Sequence, residues 1–205
     1  MAQIMTLFKN RYRVESARLP RYDYTSPGRY FVTICTHDKA CHFGDVVNGR
    51  MCLSPIGEIV ADEWRKAPKV RPNVILDSWV VMPNHLHGII VIDEMKTSVE
   101  THGDGNVSVE TTQRVVSTTT KTTLQRNSLG AIIGQFKSKC TKRIHAAGFG
   151  EFSWQARFHD HIVRDGSDLD RIRQYILDNP ADWSKDDNYP RNIRMDRLHH
   201  GESQL

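Results

Sequence analysis

The sequence predicts an α+β domain, an antiparallel sheet with helices packed on one face, in a ferredoxin-like or RNA-recognition-like arrangement. Three observations predict it. Short apolar runs rich in β-branched and aromatic residues recur at 30–35, 74–81, 85–92 and 158–163. Two windows, 128–146 and 167–179, carry apolar residues at helical spacing instead. No succession of βαβ units links them, which argues against a parallel doubly wound sheet.

The chain has 205 residues, 39% hydrophobic and 25% charged, with a mean hydropathy of −0.52. That suits one domain with an elaboration and a real core. A formal charge of +4 is a mild basic bias, compatible with nucleic acid. No apolar stretch approaches the roughly 20 residues of a membrane span, and no secretory hydrophobic segment opens the chain, so a cytoplasmic location is expected. The four cysteines, Cys35, Cys41, Cys52 and Cys140, form no C-x-x-C pair. Cys35, His37, Cys41 and His42 match none of the usual zinc spacings, and the cysteines read as a strand end at Cys35 and isolated packing residues elsewhere.

Residues 1–28 form a basic arm with Arg11, Arg13, Arg18 and Arg21 among tyrosines, ending at Ser26-Pro27-Gly28. The first strand follows at 30–35, and a short one is expected at 49–53. Ser54-Pro55 supplies a cap and a first-turn proline for a helix to about Lys66. A strand at 74–81 is turned by Met82-Pro83-Asn84 into the next. Residues of about 93–127 change character: Thr, Ser, Val and Glu dominate, and Ser98-Val99-Glu100-Thr101 recurs as Ser108-Val109-Glu110-Thr111. Little there can bury a core, so this reads as a polar insertion. In 128–146, Leu129, Ile132, Ile133, Phe136, Cys140 and Ile144 make an apolar stripe. Lys139, Lys142 and Arg143 flank it on one side and Lys137 on the other, a solvated cationic face or a phosphate-binding one. The last helix is expected to start at Ser167, capped with Asp170, and to stop near Asn179 because Pro180 follows.

The most telling run is Met82-Pro83-Asn84-His85-Leu86-His87-Gly88. In a strand, His85 and His87 share one face with Cβ atoms roughly 7 Å apart, while Leu86 points to the core. Two imidazoles held so can bind one divalent ion and leave its other positions open, as metal-assisted chemistry requires. In the last helix, Arg171, Tyr175 and Asn179 follow one another at i, i+4 along one strip. Taken singly, Tyr175 is a packing tyrosine and Asn179 a C-cap. Together with the His pair they offer a nucleophile, a metal ligand and a cation. His159-Asp160-His161 is a second strand His-x-His, a rival metal site or a packed pair. Trp154, Phe158 and the N-terminal tyrosines are core residues or base-stacking platforms.

These pieces also carry a resemblance. Arg21-Tyr22-Asp23-Tyr24, 30–36, Met82-Pro83-Asn84-His85-Leu86-His87-Gly88, Ser128-Leu129-Gly130, Phe136-Lys137-Ser138, Trp154-Gln155, His161, Tyr175-Ile176 and Asn179-Pro180 span nearly the whole chain. In that order they resemble the REP-associated tyrosine transposases, among the single-tyrosine HUH nucleases. The insertion has no counterpart in the pattern. The resemblance implies one HUH catalytic domain over 29–205 and Mg²⁺ or Mn²⁺ held by His85, His87 and Asn179. It implies that Tyr175 attacks single-stranded, hairpin-bearing DNA to give a 5′-phosphotyrosine and a free 3′-OH. The DNA would be held by Arg11, Arg13, Arg18, Arg21, Lys137, Lys139, Lys142 and Arg143, and Arg171 is placed by its helical position to approach the nucleophile or the phosphate. Such a protein would be nucleoid-associated and act as a monomer or homodimer. Two other readings stay open: a non-catalytic, domesticated hairpin-binding protein, and a two-His hydrolase that activates water with Tyr175 structural.

Overall fold

A computed structural model of the chain describes residues 22–94, 125 and 127–191. The arginines of the basic arm, Arg11, Arg13, Arg18 and Arg21, and nearly all of the insertion lie outside the described residues.

The sheet is built from β1 (Gly28–Cys35), β4 (Val74–Met82), β5 (His85–Ile92) and β6 (His159–Val163). These lie in the order β4-β5-β1-β6 with every neighbouring pair antiparallel. A hairpin of β2 (Gly44–Val47) and β3 (Arg50–Leu53) precedes α1 (Pro55–Arg65) and the short α2 (Ala67–Val70). Then α3 (Leu129–Ala146) joins β5 to β6, and α4 (Gly166–Asp178) follows β6. Without the hairpin and α4 this is the βαββαβ order of a ferredoxin-like fold, as the sequence predicts.

Local chemistry sets the boundaries. Ser54 Oγ accepts from the Gly57 amide at 3.1 Å and Pro55 opens α1; Ser128 Oγ accepts from the Ala131 amide to start α3. The last helix starts differently from expectation. Its cap is Asp165, which accepts from the Asp168 amide at 2.9 Å, while Ser167 lies inside the helix and donates to that same carboxylate. Aspartate and serine cap about equally well, and the chain leaves β6 early enough for Asp165 to take the position.

The layering also differs from a sheet covered on one face. Tyr30, Val32, Ile34, Leu86 and Ile90 pack with α1 and α3 around Trp64 and Phe136. On the opposite face α4 lays Leu169, Ile172 and Ile176 against Ile89, Val163, Phe31 and Val80. Both faces of β5 are therefore buried, which explains its unbroken apolar run. The His pair lies on the face covered by α4. Arg173 helps to seat this helix, gripping the Asp77 carboxylate of β4 through Nε at 3.0 Å and Nη2 at 2.7 Å. That grip is the main cause holding the Asp77 carboxyl below its ordinary value. Its contribution is present above about pH 4, the ordinary carboxylate value, and is lost as pH falls through the depressed one. Asp77→Asn is expected to cost about 1 kcal/mol at neutral pH and to flatten the acid limb of the unfolding curve, read by urea titration at several pH values.

Gly88, just past the His pair, is required on the other face. A Cβ there would stand 2.5 Å from Cζ2 of the buried Trp64. Gly88→Ala is therefore expected to cost about 1–3 kcal/mol by overpacking, seen as a lower urea midpoint with little change in slope.

Candidate metal and tyrosine site

Period-2 alternation puts His85 and His87 on the α4 face, where the register pairs them with Cys35 and Thr33 of β1. Their ring centroids are 4.3 Å apart and both rings are buried. Each Nδ1 is held by a neighbour. Asn84 Oδ1 lies 2.9 Å from His85 Nδ1, and Thr33 Oγ1 lies 2.9 Å from His87 Nδ1. The Asn84 amide nitrogen donates elsewhere, so its Oδ1 accepts. His85 Nδ1 therefore carries the hydrogen and Nε2 keeps its lone pair. Burial pushes both imidazoles to lower pKa, further for His85, where His87 adds to the effect; Asp186 opposes it in each. That shift favours the neutral imidazole, the form a metal ligand takes.

A further donor beside the histidines is Asp186, to which no sequence pattern pointed. After α4 the chain makes a short 3-10 turn at Trp183–Lys185 and folds back over the histidines. Trp183 packs on the His85 ring at 5.8 Å. Asp186 Oδ2 then lies 4.0 Å from His85 Nε2 and 3.8 Å from His87 Nε2. These separations exceed a hydrogen bond yet suit donors converging on one ion. Among the described residues, these are the one group of three His, Cys, Asp or Glu side chains whose ligand atoms all lie within 4.8 Å of one another. Burial would raise the Asp186 carboxyl, but His87, His85 and Asn179 beside it hold it well below the ordinary range. His85 Nε2, buried and without a hydrogen-bond partner, is the orphan that a cation would satisfy. The donor set, two neutral imidazoles and a carboxylate, fits a divalent metal.

Asn179, expected from the resemblance as the third ligand, stands behind Asp186. Its amide nitrogen donates to Asp186 Oδ2 at 3.0 Å, and its Oδ1 is buried without a partner. Asp186 and Asn179 thus stand side by side as candidates for the third ligand. No periodicity pointed to Asp186, which sits in irregular chain. A dense run of aspartates (Asp182, Asp186, Asp187) was the available signal.

Tyr175 reaches the same point. Its Oη lies 3.2 Å from His87 Nε2 and 3.3 Å from Asp186 Oδ2. The ring makes edge contacts with His87 at 5.2 Å and Phe31 at 6.1 Å, yet is 45% exposed. Partial burial first, and then the Asp186 charge, raise the phenol above its ordinary pKa. Beside it opens a cleft of about 520 Å³, walled by β1, β6 and α4, with Arg171, His159 and His161 along its rim. Arg171, one turn before Tyr175, is held by Asp168 at 2.5 Å, and the same carboxylate binds His161 Nε2 at 2.8 Å. His159 and His161 thus line the cleft, but among the described residues they join no three-donor group.

The cations expected to hold DNA from α3 lie on the helix that covers the opposite face of the sheet. Arg143 is taken by Asp62 and Glu63 of α1. Lys137 donates to the Gln155 and Arg157 carbonyls, and burial lowers its amine to about 8. Lys139 and Lys142 remain exposed. Trp154 packs with Phe43, Phe136 and Phe152, and Phe158 is partly buried against the same core.

The chain is an α+β protein whose four-stranded antiparallel sheet sets a strand His-x-His against a tyrosine on a packed helix. Among solved structures it is similar to a REP-associated tyrosine transposase bound to a REP hairpin. The TM-score is 0.51 at 19% identity, covering 80% of this chain and 72% of that one. The chain belongs to one family with an uncharacterized protein of Haemophilus influenzae, 35% identical over 175 residues, covering 85% of this chain and 92% of the relative. No family model matches the chain. Among the described residues no helix is long and apolar enough to cross a membrane.

Proposed function

We propose that this protein is a metal-dependent nicking and joining enzyme acting on single-stranded, hairpin-bearing DNA, with Tyr175 as the nucleophile. The observation that carries the reading is the convergence of the Tyr175 hydroxyl on His87 and Asp186, beside an open cleft. A half-exposed tyrosine used only for packing has no need of that address. His85, His87 and Asp186 would hold Mg²⁺ or Mn²⁺, with Asn179 steadying the carboxylate. When bound, the cation withdraws charge from a scissile phosphate and offsets the Asp186 charge that disfavours phenolate.

The chain supplies the rest. Oη attacks phosphorus and its proton passes to the water that reaches the half-exposed ring. The P–O3′ bond breaks, O3′ takes up a proton from solvent and the leaving strand departs as a 3′-OH, while the 5′ end stays on Tyr175. One phosphodiester is exchanged for another, so no nucleotide cofactor is required, and reversal by a 3′-OH joins strands. Arg171, on the cleft rim one turn from the nucleophile, contacts a backbone phosphate. Arg11, Arg13, Arg18 and Arg21 of the arm, and the exposed Lys139 and Lys142, extend that contact along the DNA. The test is incubation with hairpin-bearing single strands and Mn²⁺ or Mg²⁺, followed by denaturing electrophoresis. A protein–DNA adduct is expected; cleavage without an adduct supports the water-activating hydrolase, and binding without cleavage the domesticated hairpin-binding protein.

A further inference from the structure

The turn Pro83-Asn84 joins β4 to β5, and its asparagine is more heavily engaged than a turn requires. Asn84 is fully buried. Its Oδ1 accepts from His85 Nδ1 at 2.9 Å, while Nδ2 donates to Lys39 O at 2.9 Å and Asn188 O at 2.8 Å. Its backbone carbonyl accepts from the Thr36 amide at 2.9 Å and the Thr36 hydroxyl at 3.1 Å.

The Asn188 contact spans 104 residues of sequence. Asn188 lies two residues after Asp186, and its own amide donates to Asp186 Oδ1 at 2.6 Å. One carboxamide therefore sets the tautomer and rotation of a histidine on β5 and pins the segment that delivers the carboxylate. Aspartate would turn the donor into an oxygen facing two carbonyls; alanine would leave both carbonyls and the imidazole N–H unpaired in a buried site.

We infer that Asn84 is the positioning residue that assembles the metal centre, joining the His85 donor to the Asp186 segment; this rests on the reading of His85, His87 and Asp186 as metal ligands. Groups behind first ligands set metal affinity by orienting them. Asn84→Ala should weaken Mn²⁺ binding about 10–100-fold, measured by calorimetric titration of the full chain without DNA. It should also speed hydrogen exchange at the Asn188 amide. Thr36→Val, which removes a hydroxyl shared between the Ala40 carbonyl at 2.8 Å and the Asn84 carbonyl at 3.1 Å, should lower stability and leave Mn²⁺ affinity near wild type.

Wild-type Mn²⁺ affinity in a folded Asn84→Ala protein overturns the inference alone. A wild-type chain that binds no Mn²⁺ sinks the metal reading and the inference with it. Should Asn84→Ala fail to fold, the wild-type protein decides by NMR. The Asn84 carboxamide protons are expected to be exchange-protected and to shift on Mg²⁺ titration; fast exchange with no shift overturns the inference.

Discussion

Tyr175→Phe is expected to abolish the covalent protein–DNA adduct and to lower strand cleavage by at least about 10³-fold, roughly 4 kcal/mol of transition-state stabilisation. The substitution removes one oxygen and keeps the ring that touches Phe31 and His87. The two hydrogen bonds lost are long, at 3.2 and 3.3 Å, and the ring is half in solvent. Stability should therefore change by less than about 1 kcal/mol, and far-UV dichroism and Mn²⁺ affinity should match wild type. The large effect is thus confined to the chemical step. An adduct that survives the substitution would remove Tyr175 from its role. Cleavage at the wild-type rate with no adduct in either protein would transfer the nucleophile's role to water.

Sequence periodicity carried most of the fold because the site is built on regular elements. His85 and His87 were legible since alternate residues of a strand share a face, and Leu86 between them is wholly buried, as that alternation demands. Tyr175 and Arg171 were legible because i, i+4 spacing on α4 survives whatever the helix packs against. The side of the sheet that α4 covers was not legible. Both faces of β5 are apolar, so its pattern does not say which helix lies where. The β2–β3 hairpin carried a readable sign: Asn48 and Gly49 both adopt positive φ, 52° and 71°, the demand of a type I′ turn.

Asp186 was hidden for a different reason. It lies in irregular chain, seven residues past Asn179, and owes its place to tertiary contacts: Trp183 on His85, Asn188 on Asn84, and the Asn179 amide on the carboxylate itself. Asn179, in helical register with Tyr175, was visible, while the carboxylate to which its amide donates was not. The asparagine of Met82-Pro83-Asn84-His85 was equally visible as a turn residue, while its bond to Asn188 was not. Local pattern finds residues on strands and helices. It does not find a donor delivered by a loop that closes back over them.

Divalent metal should stabilise this chain, and the ligand set can be read from that stabilisation without any DNA. At a Mn²⁺ concentration of 100 times its dissociation constant, the folded state gains about 2.7 kcal/mol, a rise in Tm of roughly 5–10 °C for a chain of this size. Chelation should reverse it. His85→Ala and Asp186→Ala should each abolish the shift, the first by removing the orphaned Nε2 and the second by removing the one negative donor. Asn179→Ala separates the two candidates for the third ligand. If Asn179 acts by holding Asp186 through the 3.0 Å bond from its amide, the shift shrinks but persists, since the Asn188 amide still grips the same carboxylate at 2.6 Å. If Asn179 is itself the third ligand, the shift disappears in Asn179→Ala and survives in Asp186→Ala, and the carboxylate loses the role assigned to it.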